Sequence, residues 1–351
     1  MILQTPIGHL GYGRSGFEIA KQLINQLPPD CLTIYPIGNP EMDLYEKISS
    51  SDWRLKDKPA YGETIKIWHQ HSLHEFVGNG EKIGFPIFEL NKFTDVEKRS
   101  MRHCDRLFVC SEWAKNVVEE EVPKIKVSIV PLGVDRETFN ELNNVNRPST
   151  IFFNCGKWEV RKGHDLLLDA FNEAFDKNDN VELWMMCDNP FIGEDGNNDW
   201  KNRYSKSKMG SKIRFIPYQK THRDVYNIIR QIDCGVFPAR AEGWNLELLE
   251  CQSCGKTVIA TNYAGHSQFI NESNAMLLDV DKIVPAEDGI WFFKQGEWAE
   301  PNKDQLVSNM KKVHAKKQNG SLSLNLEGVE TAKKFSWVNT VETILSELHY
   351  V

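Results

Sequence analysis

Two spacings of hydrophobic residues alternate along this chain, one typical of strands and the other of helices. Short runs of β-branched and aromatic residues predict buried strands, and the segments between them repeat apolar residues at the spacing of amphipathic helices. In the first half, residues 16–27 are a predicted helix, and Ser111 is the expected N-cap of the helix that follows it, because its hydroxyl can accept from an unpaired backbone N–H. The strands predicted there are 2–6, 32–37, 64–68, 83–88, 106–110 and 126–130. This alternation is typical of a parallel sheet covered by helices.

A polar, asparagine-rich stretch over 131–148 interrupts the pattern and indicates a linker. The alternation then restarts, so the sequence predicts two domains, 1–147 and 148–335, each built on a doubly wound sheet. The later elements are strands 150–155, 181–187, 212–216, 234–238 and 257–261, helices 166–175, 224–232 and 246–254, and a partly loop-like segment over 306–329. Ligands of such sheets bind at the carboxyl ends of the strands, so the expected site is a cleft between the domains.

Composition narrows the class of protein. The chain has 351 residues, of which 40% are hydrophobic, enough for packed cores. A formal net charge of −7 gives no general field for nucleic acid. No secretory leader and no apolar run of about 18 residues stands out, so a cytoplasmic protein without a membrane partner is expected. Most of the 8 cysteines lie in strand-like contexts and are expected to be free and buried; the Cys251–Cys254 pair falls in a predicted helix, which does not favour a redox or metal role.

The first candidate motif is a G-x-G-x-x-G over 11–16, placed after a strand and before a helix. Glycines there allow the backbone to approach a phosphate at the helix N-terminus, so Gly11 and Gly13 are candidate anion-binding positions. An NAD-dependent oxidoreductase also needs an acidic residue at the end of the second strand, and residues 32–37 contain none. That enzyme class and a purely structural turn stay open as alternatives.

Two further motifs lie in the second half. Residues 156–163, GKWEVRKG, again separate a strand from a helix, and Lys157 and Lys162 suit a diphosphate, although a solvated basic loop is the alternative. Glu242 and Glu250 then occupy the loop before the next helix and a position about one turn inside it. Both carboxylates can therefore face one ligand, one on sugar hydroxyls and the other on ribose hydroxyls, with the N–H groups between them on phosphates.

The ordered combination of motifs resembles the retaining glycosyltransferases of family four. The resemblance rests on GKWEVRKG after one strand, E-x7-E after a later strand, GKTVIATNYAG beyond it, and RLFVCSEWAKNVV and IVPLGVDRETF in the first half. It covers nearly the whole chain. It implies an α/β protein of the GT-B fold, with two Rossmann-like domains facing across a cleft and the C-terminal helix, 336–351, crossing back to the first domain.

The resemblance implies roles for individual residues. Lys162 matches the lysine that contacts the donor diphosphate, and Lys157 stands where an arginine is usual, keeping the charge without the planar fork. Glu242 matches the glutamate near the transferred sugar and Glu250 the one on the nucleotide ribose. These residues are the expected catalytic and donor-binding centre.

The remaining donor contacts are implied in the same way. Asn245 and Leu246 would offer backbone N–H groups to the phosphates, and Gly11 and Gly13 would approach the diphosphate from the first domain. Base contacts in such folds are often made by backbone, here around Tyr218.

The acceptor side departs from the resemblance. Many members carry a histidine before the strand that here is 106–110, and this chain has Glu89 at about that place, with a possible role on donor sugar or acceptor. The imidazoles of His71 and His74 suit the acceptor side better than zinc, since no cysteine or second cluster completes a metal site. Ordinary structural histidines stay open as the alternative. Residues 279–281, DVD, resemble a metal-binding D-x-D but are better explained as a strand-end loop.

The expected activity is retaining, metal-independent transfer of a sugar from a UDP-, GDP- or ADP-sugar to an unidentified acceptor hydroxyl, without a resident cofactor. A non-catalytic nucleotide-binding protein of the same fold is the remaining alternative. In the family, the leaving phosphate is thought to take the acceptor proton, so no enzymic nucleophile is required.

Overall fold

A computed structural model describes residues 1–28, 31–48, 61–140 and 147–350. These residues form two compact units. The first comprises Met1–Gly133 together with Phe335–Val351, and the second is Val134–Lys334. The segment that follows Gly133, assigned to the first domain from sequence, thus belongs to the second unit.

The first unit is built on a sheet of six parallel strands in the order β2-β1-β3-β4-β5-β6. Its strands are β1 Ile2–Thr5, β2 Thr33–Pro36, β3 Thr64–Ile67, β4 Lys82–Phe85, β5 Arg106–Val109 and β6 Lys126–Ile129. Its helices are α1 Gly11–Gln26, α2 Met42–Ile48, α3 Asp95–Met101, α4 Glu112–Glu121 and α11 Trp337–Glu347. The predicted cap is confirmed, because Ser111 Oγ accepts from the N–H of Ala114 at 3.1 Å.

The second unit repeats this architecture with the strand order β12-β11-β10-β7-β8-β9, all parallel. The strands are β7 Thr150–Gly156, β8 Val181–Cys187, β9 Ile213–Phe215, β10 Cys234–Phe237, β11 Thr257–Thr261 and β12 Met276–Leu278. The helices are α5 His164–Ala174, α6 Gly193–Ser205, α7 His222–Ile229, α8 Leu246–Ser253, α9 Lys303–Gln318 and α10 Leu326–Lys334. Phe152, Phe171, Met185 and Val236 belong to the apolar core between the sheet and its helices.

The glycine-rich segment is helical, which corrects the prediction of a loop followed by a helix from residue 16. α1 begins at Gly11, so all three glycines of the motif lie in its first turns. A Cβ on Gly13 would come within 2.6 Å of the Gly8 backbone, and one on Gly16 within 2.3 Å of the Pro6 carbonyl oxygen. These two glycines therefore allow α1 to pack tightly on the chain that leaves β1.

The end of the second unit also differs from the prediction. Most of the segment over 306–329, expected to be partly loop, lies in α9 and α10. Two antiparallel strands, β13 Val280–Glu287 and β14 Phe293–Pro301, form a hairpin that the sequence did not predict. Asp279 lies between β12 and β13, whereas Asp281 is inside β13, and their carboxylates accept from side-chain amides at the start of α9 at 2.6 Å each.

Helix α11 packs within the first unit. Thr340 Oγ1 donates to the Pro131 carbonyl oxygen at 2.8 Å, and Arg106 donates to the Glu347 carbonyl oxygen at 3.0 Å. At the N-terminal end of α11, a Cβ on Gly133 would lie 2.2 Å from the Ser336 carbonyl carbon. Among the described residues, no helix has both the length and the apolar character needed to cross a bilayer.

We predict that Gly133→Ala lowers the free energy of unfolding by about 1–3 kcal/mol, because the added methyl group has no space and must displace backbone. Urea unfolding followed by circular dichroism measures the effect. Gly11→Ala is the control, since a Cβ there meets nothing within 4 Å, and its change should stay within about 0.5 kcal/mol. Equal transition midpoints for the two variants would contradict the close contact.

Candidate active site

The two motifs of the second half meet at one edge of its sheet. β7 and β10 are parallel neighbours, so their carboxyl ends and the loops that leave them lie side by side. The loop after β7 carries Lys162, and the loop after β10 carries Glu242. Lys162 Nζ donates to Glu242 Oε1 at 2.7 Å, so the fold brings these two residues together.

A chain of ion pairs extends from this contact. Arg161 donates to Glu242 Oε2 at 3.0 Å and to the Ala241 carbonyl oxygen at 2.7 Å, and it also contacts Glu159 Oε2 at 2.7 Å. Lys157 Nζ lies 3.0 Å from Glu159 Oε1 at the solvent end, where 38% of its side chain is exposed. Cations and carboxylates therefore alternate from the surface to the buried Glu242.

Burial and charge act in opposite directions on the central pair. Burial alone would raise the pKa of Glu242, but Lys162 and Arg161 outweigh it and hold that pKa well below its usual range. Burial likewise disfavours the charged form of Lys162, and the carboxylates of Glu242 and Glu247 raise its pKa above the ordinary value. Both groups are consequently charged at neutral pH. Glu247, half-buried on α8, is a participant that the sequence analysis missed.

Lys162 retains hydrogen-bonding capacity for a ligand. An ammonium group has three N–H donors, and within the described residues its hydrogen bonds go to Glu242 alone. A narrow recess beside it is lined by Asn154, Lys162, Ala239, Glu242 and Asn245, among others. The site thus presents an ammonium group, held in place by Glu242, with N–H donors available for an anionic group.

His164 fixes the loop that carries these cations. Its Nδ1 accepts from the N–H of Glu159 at 3.1 Å, so Nε2 carries the proton and donates to Asn154 Oδ1 at 3.0 Å. Asn154 in turn donates to the Val236 carbonyl oxygen in β10 at 2.7 Å. Burial, followed by the charge of Lys162, lowers the pKa of His164 to about 3, so the ring is neutral. Sequence patterns gave no signal for this buried network.

Asn245 begins α8 in a left-handed conformation, with φ of 77°. Its Oδ1 caps the N–H of Leu248 at 3.2 Å, and its amide lies 3.3 Å from Nδ1 of the buried His266. The first N–H groups of a helix have no partner within the helix, and Leu246 is the first residue of α8. Contact of Asn245 and Leu246 with a phosphate stays a prediction.

Two other predicted donor contacts, Glu250 and Tyr218, also belong to the second unit. Glu250 is half-buried one turn inside α8, as expected from the spacing. Tyr218 follows β9 with 49% of its surface exposed. Both remain predictions as donor contacts.

The predicted site residues of the first unit lie in different segments of the chain. Gly11 is exposed at the start of α1, and Gly13 is buried there. Glu89 is half-buried after β4, where it adds to the effect of burial in raising the pKa of the half-buried Tyr12. His71 lies in a short 3₁₀ turn, and His74 is exposed two residues beyond it. In the described part of the chain, neither imidazole belongs to a cluster of metal-ligating groups.

We predict that His164 makes stability fall as pH decreases. The folded-state pKa lies below the unfolded value, so between about pH 6.5 and pH 3 the unfolded chain binds a proton that the folded chain does not. The contribution to the slope is about 1.4 kcal/mol per pH unit. Urea unfolding across this range should give a correspondingly smaller slope for His164→Gln, and the exposed His349→Gln controls for loss of a histidine. An unchanged slope in His164→Gln would refute the neutral, buried ring.

The segment that carries this site is similar in sequence to known proteins. Residues 149–288, which contain both loops, match the model described as "Glycosyl transferases group 1". The lipopolysaccharide 1,2-N-acetylglucosaminetransferase of Salmonella typhimurium is 23% identical over 68% of this chain and 60% of its own. The Escherichia coli UDP-Gal:alpha-D-GlcNAc-diphosphoundecaprenol alpha-1,3-galactosyltransferase is 28% identical over 48% and 45%. The chain therefore spans about half the length of these relatives.

Solved structures resemble the whole chain. Sucrose-phosphate synthase from Thermosynechococcus elongatus matches with a TM-score of 0.71 and 13% identity over 99% of this chain and 98% of its own. Anabaena HepE, in complex with UDP and glucose, matches with a TM-score of 0.73 and 12% identity over 100% and 99%. The chain thus has the GT-B fold, and its residues 149–288 match the group 1 glycosyl transferases.

Proposed function

We propose that this protein is a retaining glycosyltransferase, which moves a sugar from a nucleotide-diphosphate sugar to an acceptor hydroxyl. The observation that carries the proposal is the Lys162–Glu242 pair at the adjoining carboxyl ends of β7 and β10. This is the edge at which parallel α/β sheets bind ligands. The match of residues 149–288 to group 1 glycosyl transferases and the names of the relatives support it.

In the proposed mechanism the cations stabilise the leaving group. Cleavage of the sugar–phosphate bond places negative charge on the nucleoside diphosphate. The remaining N–H donors of Lys162, with Lys157 and the first N–H groups of α8, would stabilise that charge in a site already organised by buried ion pairs. No metal ion is proposed to take part.

Glu242 is proposed to position the sugar and not to transfer a proton. Its low pKa keeps the carboxylate ionised, so it accepts hydrogen bonds from sugar hydroxyls but cannot serve as a general acid. Two cations already occupy its oxygens, which weakens it as a nucleophile. The acceptor proton would then pass to the leaving phosphate on the same face of the sugar, and the anomeric configuration would be retained.

The rival functions receive less support. The end of β2 offers no carboxylate for a dinucleotide ribose, and Gly13 and Gly16 have packing contacts that account for them, so an oxidoreductase is not favoured. A non-catalytic nucleotide-binding protein is not favoured, because Glu242, the residue expected beside the transferred sugar, is present next to Lys162. UDP-sugars are the first donors to test, because one relative is named for UDP-Gal and HepE was solved with UDP.

We predict that one nucleotide-sugar raises the melting temperature in a panel of UDP-, GDP- and ADP-sugars, and that the shift survives addition of a chelator. A ligand at 100 times its dissociation constant stabilises the folded state by about 2.7 kcal/mol. NADH is the matched control for the oxidoreductase alternative. Stabilisation by NADH alone would refute the proposed donor site, and loss of the sugar response on chelation would refute the metal-free mechanism.

We predict that Lys162→Ala lowers turnover of the responding donor by about 100-fold or more, because it removes a preorganised donor from the leaving group. Product formation is measured by separating the released nucleotide. Lys303→Ala is the control, since that lysine pairs with Glu173 on the surface of the same unit at 2.9 Å. Equal turnover in the two variants would refute the assignment of Lys162.

A further inference from the structure

The connection between β3 and β4 is a second ordered element, and it carries His71 and His74. Lys66 of β3 is only 3% exposed, and its Nζ donates to the carbonyl oxygens of Ser72 at 2.7 Å and Glu75 at 2.6 Å. Burial lowers the pKa of Lys66, which reflects the cost of keeping a charge there. The two hydrogen bonds of Lys66 therefore hold the connection in place, although burial of its ammonium group is unfavourable.

Helix α3 fixes the same connection from the other side. Ser100 Oγ accepts from the N–H of Leu73 at 2.7 Å, and Gln70 donates to Glu97 Oε1 at 2.9 Å. Together with Lys66, these bonds set the positions of the two imidazoles relative to α3. These hydrogen bonds therefore fix the segment of chain that carries the exposed His71 and His74.

The histidines and α3 enclose a depression on the surface of the first unit. Its volume is about 200 Å³, which is less than the roughly 300–1,000 Å³ of a drug-sized ligand site and suits a small group. It is lined by His71, His74, Val96, Arg99, Ser100 and His103. Basic and neutral side chains make up the whole lining.

Arg99 supplies permanent positive charge to this depression. Its Nε donates to the Asp95 carbonyl oxygen at 3.1 Å, and among the described residues the other guanidinium N–H groups have no hydrogen bond or ion pair. The Glu97 carboxylate, on the same helix, is occupied by Gln70 and Thr94. Four N–H donors of Arg99 are therefore available to a ligand.

The imidazoles add further donors. His103 contacts the ring of His74 at 6.4 Å between centroids, and His71 stacks on His69 at 5.5 Å. Neither His71 nor His103 has a side-chain hydrogen bond within the described ranges. His74 lies 3.5 Å from Ser100 Oγ and 4.0 Å from the Glu75 carboxylate. Even a neutral imidazole offers one N–H, so several donors surround Arg99.

We infer that this depression binds an oxyanion of the acceptor substrate, either a phosphate or a carboxylate group. Arg99 provides charge-assisted hydrogen bonds, the imidazoles supply additional donors, and Val96, 57% exposed, provides an apolar contact for the attached organic part. The assignment of this oxyanion to the acceptor substrate rests on the proposed transferase function. The oxyanion site itself rests on the geometry of the first unit alone.

The test follows the ring Cε1–H resonances of His71, His74 and His103 by NMR, each assigned from its His→Gln variant. The full-length protein is titrated at constant pH and ionic strength with inorganic phosphate, glucose 1-phosphate and glucuronate. The wild type is compared with Arg99→Gln. Arg102→Gln is the matched control, since Arg102 is an exposed arginine three residues further along that does not line the depression.

We expect saturable shifts of these resonances in the wild type and in Arg102→Gln, and a dissociation constant weaker by about tenfold or more in Arg99→Gln. Response to the two phosphates or to glucuronate identifies which oxyanion is bound. Shifts that do not saturate, or that are equal in all three proteins, overturn the site. Saturable shifts in a protein without transferase activity overturn the proposed function and keep the oxyanion site, whereas activity without saturable shifts overturns the oxyanion site alone.

Discussion

The architecture of the second unit depends on one buried carboxylate. Glu242 accepts from Lys162 and Arg161, which belong to a loop some 80 residues earlier in the chain. A charge in the interior is tolerated only when it is paired and hydrogen-bonded, so each loop is stable in its observed form because the other is present. The same contact that holds the two loops together also fixes the positive charge of the candidate site. Stability and ligand binding here are properties of one network.

A second set of buried ions supports the first. Arg240, two residues before Glu242, forms paired bonds to Asp165 at 2.8 and 2.9 Å and to Glu300 at 2.9 and 3.0 Å. Asp165 is in the first turn of α5, and Glu300 is in β14, so this arginine connects the site loop to the helix behind it and to the hairpin. The Arg240 N–H also donates to the Arg161 carbonyl oxygen at 2.7 Å. The hairpin of β13 and β14 therefore helps to hold the site loop in place.

Local patterns in the sequence predicted what depends on local physics. Strand and helix periods predicted most elements, and the Ser111 cap followed from its side chain. The motifs assigned Lys162 and Glu242 to one site, and the structure shows their direct contact at the adjoining ends of β7 and β10. The prediction failed where long-range contacts decide. Gly13 and Gly16 are explained by packing on the chain after β1, which a local motif cannot reveal. His164 is identified only by its partners, Asn154 in β7 and the N–H of Glu159 in the loop after it, because a lone histidine after a glycine has no distinguishing pattern.

The placement of α11 has a consequence for synthesis. A ribosome produces the chain from the amino end, and domains generally fold as units once their residues have emerged. The second unit is contiguous, from Val134 to Lys334, whereas the first lacks Trp337–Glu347 until all of the second has been made. The unit that is translated first is thus the last to be completed. Until then, the surface that receives α11, including the Pro131 carbonyl and the Arg106 guanidinium, has no native partner from that helix and is available to chaperones.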